Sequence, residues 1–435
     1  VALTGQFHLR VARTAETPLT ANVIALESVK SGISSDFAIM VSCDVLSIPD
    51  ELLKMVRSEV KRRIPEMDVM KIFLNAIHTH TAPVLEDDPK FSFRYGIPEG
   101  VLTIRDYSNY FTDRVSEAIV KAWENRKQGS VTWALTHAVI GYNRRAVYSD
   151  GSARMYGVTN QPGFVHLEGM DDDDIGSIFF FDEQDGLRAV IVNVACPSQV
   201  VEGRSAVNAD YWLPVRDRLQ ARYGAGVVVL GWGSAAGDIS PHPQLHKAAL
   251  ARMQALRGID ELQEVARRID LSVSQTLDAV QKEKYAEPVL KHATVTLQLP
   301  LCKISETQYR EARAAYDEVL AQVAQDPACA AAVAFMARDW HYGVVQRYEQ
   351  LQQDPGATYP VEIHVVRIGD LVVCSNPFEL FCEYGIRIKA RSPATQTFIV
   401  QMAGFGSYLP TERALAGGHY SAVPQSNIIG PEGGQ

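Results

Sequence analysis

Two histidines separated by one residue are the first candidates for chemistry. His78 and His80 lie in the segment Asn75–Pro83. In an extended chain, residues two apart face the same side, so both imidazoles can point into one site. Imidazole nitrogen is a common zinc ligand, and His-x-His is a natural metal chelate. Two hydrogen-bonded histidines on a polar loop would give the same pattern, so the pair alone leaves both interpretations open.

Three further segments carry residues of chemical interest. Gly231–Pro241 is rich in small residues, and Ser240 within it could act as a nucleophile or a hydrogen-bond donor. Glu379 is predicted at the start of a helix, where a carboxylate is stabilised by the helix dipole or can bind a metal. Tyr408 and Tyr420 are twelve residues apart in a Gly-containing loop. Each segment also has an ordinary explanation: a tight turn, a helix-start carboxylate and packed tyrosines.

The order of these segments is more informative than any one of them. The sequence contains, in this order, THTAP, GDISP, PFE and YLPT. This series resembles the neutral (non-lysosomal) ceramidase family, and so do the shorter matches at Cys43-Asp44, Asn143-Arg144 and Asn208-Ala209-Asp210. The resemblance extends motif by motif over about residues 20–425. It implies a metal-dependent hydrolase that cleaves an amide bond in a small-molecule substrate.

The resemblance also implies roles for individual residues. The zinc ligands that it implies are His78, Glu379 and Tyr408. The residues that it implies around the substrate are Ser240 as the nucleophile, His80 beside the reacting carbonyl, Arg144 on the substrate side and Tyr420 as the stabiliser of an oxyanion. Zinc is therefore the expected cofactor.

One position departs from the family pattern. The family's second zinc histidine lies in a segment like V-H-P-T, and the corresponding segment here, Val194–Gln199, places Cys196 at that position. A thiolate binds zinc well, at about 2.3 Å, so Cys196 is predicted as the remaining ligand. Two alternatives stay open: Cys196 could be a buried thiol, or a nucleophile with a histidine partner.

Composition limits the classes of partner. The net charge of −9 and the pI of about 5.7 argue against a nucleic-acid surface. No stretch approaches the roughly 20 apolar residues of a membrane helix. Six scattered cysteines without a CxxC pair indicate free thiols and a reducing, cytoplasmic location. The acidic run Asp171–Asp174 indicates a solvated loop more than a cation site. A homo-oligomer is a separate expectation.

The predicted elements place the candidate residues at strand ends. Short β-branched runs alternate with amphipathic stretches, which predicts an α/β fold of layered mixed β-sheets flanked by helices. The strand predicted over 70–76 delivers both histidines just beyond its end. Helices are predicted from Ser47 as the cap to about Arg63, and over 378–390. We expect one domain over 1–435 with a helical excursion at about 244–353, and no C-terminal β-rich domain of the kind that ceramidases carry.

Two other functions are compatible with the same sequence. A glycoside-processing hydrolase needs two carboxylates facing one bond, and the candidates are Glu379, Asp210, Asp44, Asp172 and Glu202. A non-catalytic binding protein that has lost its metal is the third hypothesis. Long-chain ceramide is not the expected substrate, because the helical excursion occupies the region that would shape the substrate-binding face.

Overall fold

Three larger β-sheets form the centre of the molecule. The computed structural model describes residues 1–85, 99–325 and 340–434. The first sheet consists of β3 (Ala21–Lys30), β4 (Ile33–Cys43) and β5 (Ile72–Ala76). The second consists of β6 (Gly129–His137), β11 (Asp174–Asp182), β12 (Leu187–Val194) and β13 (Val228–Gly233), and the third of β15 (Leu290–Pro300), β16 (Thr358–Ile368), β17 (Leu371–Ser375) and β19 (Gln396–Val400). Each sheet mixes antiparallel pairs with one parallel pair.

Short strands connect the loops around these sheets. Their bounds are β1 (Ala2–Leu3), β2 (Arg10–Val11), β7 (Tyr142–Asn143), β8 (Arg145–Tyr148), β9 (Ala153–Met155), β10 (Phe164–Leu167), β14 (Ile239–Ser240), β18 (Glu379–Leu380) and β20 (Tyr408–Leu409). Two of the pairings matter for function. β14 pairs with β7, and β18 pairs in parallel with β20, so segments far apart in sequence are held side by side.

Helices cover the outer faces of the sheets. Their bounds are α1 (Asp50–Arg63), α2 (Ile104–Glu124), α3 (Trp212–Tyr223), α4 (Lys247–Arg257), α5 (Glu261–Val280), α6 (Glu306–Gln325), α7 (Trp340–Gln353), α8 (Cys382–Arg391) and α9 (Glu412–Gly417). Apolar faces of α1 and α2 pack on the first sheet, and those of α3 and α5 on the second. A third core of Phe73, Trp232, Phe398 and their neighbours lies where the three sheets meet. The predicted α/β class with layered mixed sheets is confirmed.

Several predicted boundaries were wrong for local reasons. α1 begins at Asp50 with Pro49 before it, and no side chain caps it, so Ser47 is not the cap. The helix predicted from 378 starts only at Cys382, because Glu379 and Leu380 instead pair with β20. The stretch 247–281 is two helices, separated where Gly258 takes a left-handed conformation. The later part of the predicted helical excursion includes residues 326–339. These residues, Cys329 among them, lie outside the described residues.

The acidic run and the cysteines have structural surroundings. Lys389 lies 2.6 Å from Asp172 and 3.1 Å from Asp174, and the Asn143 amide donates to Asp171 at 2.5 Å. The run therefore ties α8 to the start of β11. The cysteines within the described ranges are free thiols. Along the described chain, no helix combines the length and the apolar character needed to cross a bilayer.

A buried polar network connects the first and third sheets. Arg57 of α1 donates to Glu362 of β16 at 2.7 Å, and Glu362 lies 2.9 Å from His364 Nε2. His364 Nδ1 is in turn 2.9 Å from His292 Nε2 on β15. Burial, together with the neighbouring His364, lowers the pKa of His292 to about 4. The network thus holds an uncharged imidazole between the sheets.

This network predicts a loss of stability in mild acid. The folded-state pKa of His292 lies below its unfolded value, so its contribution is present above about pH 6.5 and is lost as the pH falls towards 4. Between pH 7 and pH 5 we expect the free energy of unfolding to fall by about 2 kcal/mol through this group. Urea unfolding should show a smaller fall in His292→Gln. The matched control is His8→Gln at an exposed histidine, and an equal fall in both variants would contradict the assignment.

Candidate functional site

The segment after β5 brings the two histidines together. His78 follows the strand with a φ of +66°, a left-handed conformation that is rare for residues other than glycine. The Nε2 atoms of His78 and His80 are 3.3 Å apart. A turn held by the His78 amide donating to the Val45 carbonyl at 3.0 Å produces this convergence. The expected reason, the side-chain alternation of a strand, is therefore wrong, although both rings share one site.

The hydrogen bonding of His78 leaves one nitrogen available as a ligand. Its Nδ1 lies 2.9 Å from the Leu46 carbonyl oxygen, which can only accept, so Nδ1 carries the proton and Nε2 the lone pair. This Nε2 faces the Glu379 carboxylate at 3.5 Å. With zinc bonds of roughly 2.0–2.2 Å, neighbouring ligands of a tetrahedral ion lie about 3.4 Å apart. The two acceptors therefore fit a shared divalent cation.

Tyr408 extends this pair to three donors. Glu379 and Tyr408 are register partners in the parallel β18–β20 pair, and their side chains are hydrogen-bonded. Burial and the Glu379 carboxylate raise the pKa of Tyr408 well above its usual value. Within the described ranges, no group of three or more His, Cys, Asp and Glu side chains is placed to hold a metal. The donor set that fits the implied zinc is thus His78, Glu379 and the phenol of Tyr408.

Cys196 is not brought into this set. Its thiol is 3.5 Å from the Pro197 carbonyl and 3.7 Å from the Ile140 carbonyl, and the side chain belongs to the core beneath the second sheet. Burial, and to a smaller degree Asp210, raises the pKa of this thiol well above its ordinary value. The thiol thus faces backbone carbonyls within the core, which agrees with the alternative of a buried thiol.

Arg144 donates hydrogen bonds to four residues around the site. Its guanidinium is buried and donates to the Tyr156 hydroxyl and the Gly237 carbonyl, both at 2.9 Å. It also donates to Gln199 Oε1 at 3.3 Å and to the Tyr408 hydroxyl at 3.4 Å. The predicted substrate-side arginine therefore contacts a predicted metal ligand directly.

Ser240 lies next to Tyr156, one of the partners of Arg144. Its Oγ accepts from the Tyr156 hydroxyl at 3.2 Å and from the His242 amide at 3.1 Å, and its side chain is fully buried. Sequence reasoning missed Tyr156, which has a φ of +54° in a loop twelve residues beyond Arg144. No local motif marks this tyrosine. The Tyr156 hydroxyl thus links Ser240 to Arg144.

His80 has two polar neighbours, Gln199 and Glu202, which the sequence did not place beside it. The Gln199 amide nitrogen is 2.7 Å from His80 Nε2, and Glu202 Oε2 is 3.4 Å from Nδ1. Burial, followed by the nearby His78 and Arg144, holds the pKa of His80 well below its usual value. Gln199 is the last residue of the segment that contains Cys196, and it is the member whose side chain enters the site.

Backbone contacts hold the two loops of the site in place. Arg10 donates to four carbonyl oxygens, at 2.5–2.6 Å, which belong to Thr4, His80, Glu202 and Arg204. Asp210 accepts from the Val201 and Tyr211 amides, and its burial raises its pKa to about 6. Arg10 thus joins the histidine loop to the loop that carries Gln199 and Glu202.

Tyr420 closes the outer side of the site. Its ring centroid is 6.2 Å from that of Tyr408 and 5.8 Å from that of Phe7. Burial, outweighing the nearby Arg144, raises the pKa of Tyr420 to about 12, so its hydroxyl keeps its proton at neutral pH. Tyr420 therefore lies beside Tyr408, and its role towards an oxyanion stays a prediction.

Gly5 has no room for a side chain next to His80. A Cβ on Gly5 would lie 2.4 Å from the His80 ring, and the φ of Gly5 is +90°. We expect Gly5→Ala to displace the imidazole and to lower the free energy of unfolding by about 1–3 kcal/mol beyond the backbone strain alone. Gly32→Ala is the matched control, because Gly32 has a φ of +78° and open space around it. Equal destabilisation of the two variants by urea unfolding would show that the contact is unimportant.

Comparison with known proteins identifies the fold. No protein-family model and no curated protein sequence matches the chain. A solved structure of neutral ceramidase from Pseudomonas aeruginosa matches with a TM-score of 0.68 and 16% identity, over 100% of this chain and 69% of that one. A second structure, of ceramidase complexed with C2, matches with a TM-score of 0.68 and 14% identity, over 100% and 70% of the two chains. The chain therefore has the neutral ceramidase fold.

Proposed function

We propose that this chain is a divergent, ceramidase-like hydrolase that cleaves an amide (N-acyl) bond of a small-molecule substrate with the help of zinc. The observation that carries the proposal is the approach of His78 Nε2 to the Glu379 carboxylate at 3.5 Å, beside the phenol of Tyr408. Two facing acceptors repel unless a cation lies between them. When bound, zinc supplies Lewis-acid polarisation of the scissile carbonyl.

The residues around this group match the needs of acyl transfer. Arg144 and the protonated Tyr420 are donors that can offset negative charge on the acyl oxygen. His80 is the proposed proton acceptor, once the substrate draws the Gln199 amide away from Nε2, with Glu202 beside Nδ1 of the same ring. Ser240 is the proposed nucleophile, once the substrate takes the place of the Tyr156 hydroxyl.

The glycoside-processing alternative is weakened by where the carboxylates lie. Asp44 is paired with Arg216 at 2.5 Å, Asp172 with Lys389, and Asp210 with backbone amides. Glu202 and Glu379 contact different imidazoles, so two rings stand between the carboxylates. A glycosidase needs both carboxyl groups against the same bond.

A non-catalytic binding protein is the second candidate function. Two observations favour it: the Cys196 thiol is turned into the core, and Ser240 is fully buried beneath Tyr156. Such a protein would hold an amide-containing ligand without cleaving it.

Three further expectations stay predictions: a cytoplasmic location, a homo-oligomer and a single catalytic domain.

Metal content and turnover test the proposed function together. We expect purified protein to contain one zinc per chain and to hydrolyse members of a panel of short-chain N-acyl amides. His78→Ala and Glu379→Ala should each lose the metal and lower kcat/KM by at least about 100-fold, because each removes a proposed donor. Metal analysis and amide hydrolysis measure the two effects.

Matched substitutions separate the candidates. His8→Ala and Glu183→Ala change the same residue types at exposed positions and should leave metal content and turnover intact. Full activity of the metal-free His78→Ala and Glu379→Ala variants would contradict the metal's role. Ligand binding without turnover in the parent protein would support the binding protein, and unchanged turnover in Ser240→Ala would exclude Ser240 as the nucleophile.

A further inference from the structure

Gln199 lies between the two halves of the site. Its side chain is buried, and its amide spans Arg144 Nη1 at 3.3 Å and His80 Nε2 at 2.7 Å. Its backbone carbonyl lies 2.9 Å from His242 Nε2, so the residue is held from both ends. Gln199 is therefore placed by the fold to act on the ring of His80.

Chemistry determines the orientation of the Gln199 amide. A guanidinium can only donate, so the amide oxygen must face Arg144 and the amide NH2 group must face His80. The Gln199 N–H consequently donates to His80 Nε2, which must carry a lone pair, and the proton of the neutral imidazole is on Nδ1. The lone pair with which His80 could bind a metal is thereby taken up by Gln199.

His80 would otherwise be well placed as a metal ligand. Its Nε2 is 3.3 Å from His78 Nε2, close to the separation of about 3.4 Å expected for two ligands of one tetrahedral zinc ion. Cys196, the other candidate for the remaining ligand, has its thiol against the Ile140 and Pro197 carbonyls. Neither residue is therefore free to complete the set of His78, Glu379 and Tyr408.

We propose that Gln199 excludes His80 from the metal and thereby keeps the site at three protein ligands, with Cys196 playing no part. Gln199 acts through another residue and is a positioning residue. Three protein ligands and an open position are typical of catalytic zinc sites, whereas four protein ligands are typical of structural ones. The inference rests on the proposed function for its metal and deepens it by defining the ligand set.

A double-mutant cycle on zinc affinity tests this inference. Gln199→Leu keeps the side-chain volume and removes the donor, so His80 should become a ligand and zinc should bind at least about 10-fold more tightly. His80→Ala alone should leave the affinity within about 2-fold, but in the Gln199→Leu background it should abolish the gain. Competition with a chromophoric chelator measures all four affinities. Cys196→Ser is the control and should also stay within about 2-fold of the parent.

Three outcomes would overturn the inference. They are a loss of zinc in Cys196→Ser, a loss of zinc in His80→Ala alone, and no gain in a folded Gln199→Leu variant. If Gln199→Leu does not fold, the tautomer of His80 in the metal-free parent, measured by ¹⁵N NMR, decides the point. A proton on Nδ1 supports the Gln199 contact, and a proton on Nε2 contradicts it.

The inference and the proposed function can fail separately. If the predicted affinities are found but no amide is hydrolysed, the hydrolase proposal fails and the ligand set stands. If the parent binds no zinc, the metal-dependent function fails, and the same NMR measurement still decides whether Gln199 occupies the His80 lone pair.

Discussion

The buried guanidinium of Arg144 is the interaction on which the site depends. A buried charge is costly unless its donors find acceptors. The two Nη atoms of Arg144 donate to Tyr156, Gln199, Gly237 and Tyr408, whereas its Nε has no partner among the described residues. These residues come from four separate segments. Once the four segments converge on the guanidinium, Tyr408 lies beside Glu379 and Gln199 lies against His80. The hydrogen bonds of one guanidinium thus bring Tyr408 and Gln199 into the same site.

The second constraint is that few hydrogen-bond donors face the acceptor atoms of His78, His80 and Glu379. Nδ1 of His78 faces the Leu46 carbonyl at 2.9 Å, and Nε2 faces the Glu379 carboxylate at 3.5 Å. His80 would be a third acceptor in the same place, but Gln199 supplies it with a hydrogen bond. Two facing acceptors, His78 Nε2 and the Glu379 carboxylate, therefore lie beside an imidazole whose Nε2 accepts from Gln199.

Sequence reasoning predicted elements well where the hydrophobic period is strong and less well at their ends. β5 at Ile72–Ala76 ends where the strand predicted over 70–76 ends, because an apolar run between turn residues has few other conformations. The helix predicted over 378–390 includes Glu379, but pairing with β20 holds this residue in a strand. The histidine pair was expected on an extended chain and lies in a left-handed turn. The errors occur where a tertiary contact outweighs a local preference.

The sequence by itself determined the α/β class and the types of residue available, because these depend on hydrophobic period and on the order of short segments. It also indicated four candidate residues of the site: His78, Glu379, Arg144 and Tyr408. Only the tertiary structure decided that Cys196 faces the core while Gln199, three residues on, enters the site. It also revealed Tyr156, Glu202 and Arg10 as neighbours of the site. The direction in which a loop side chain points depends on distant hydrogen-bond partners, and no local pattern in the sequence records them.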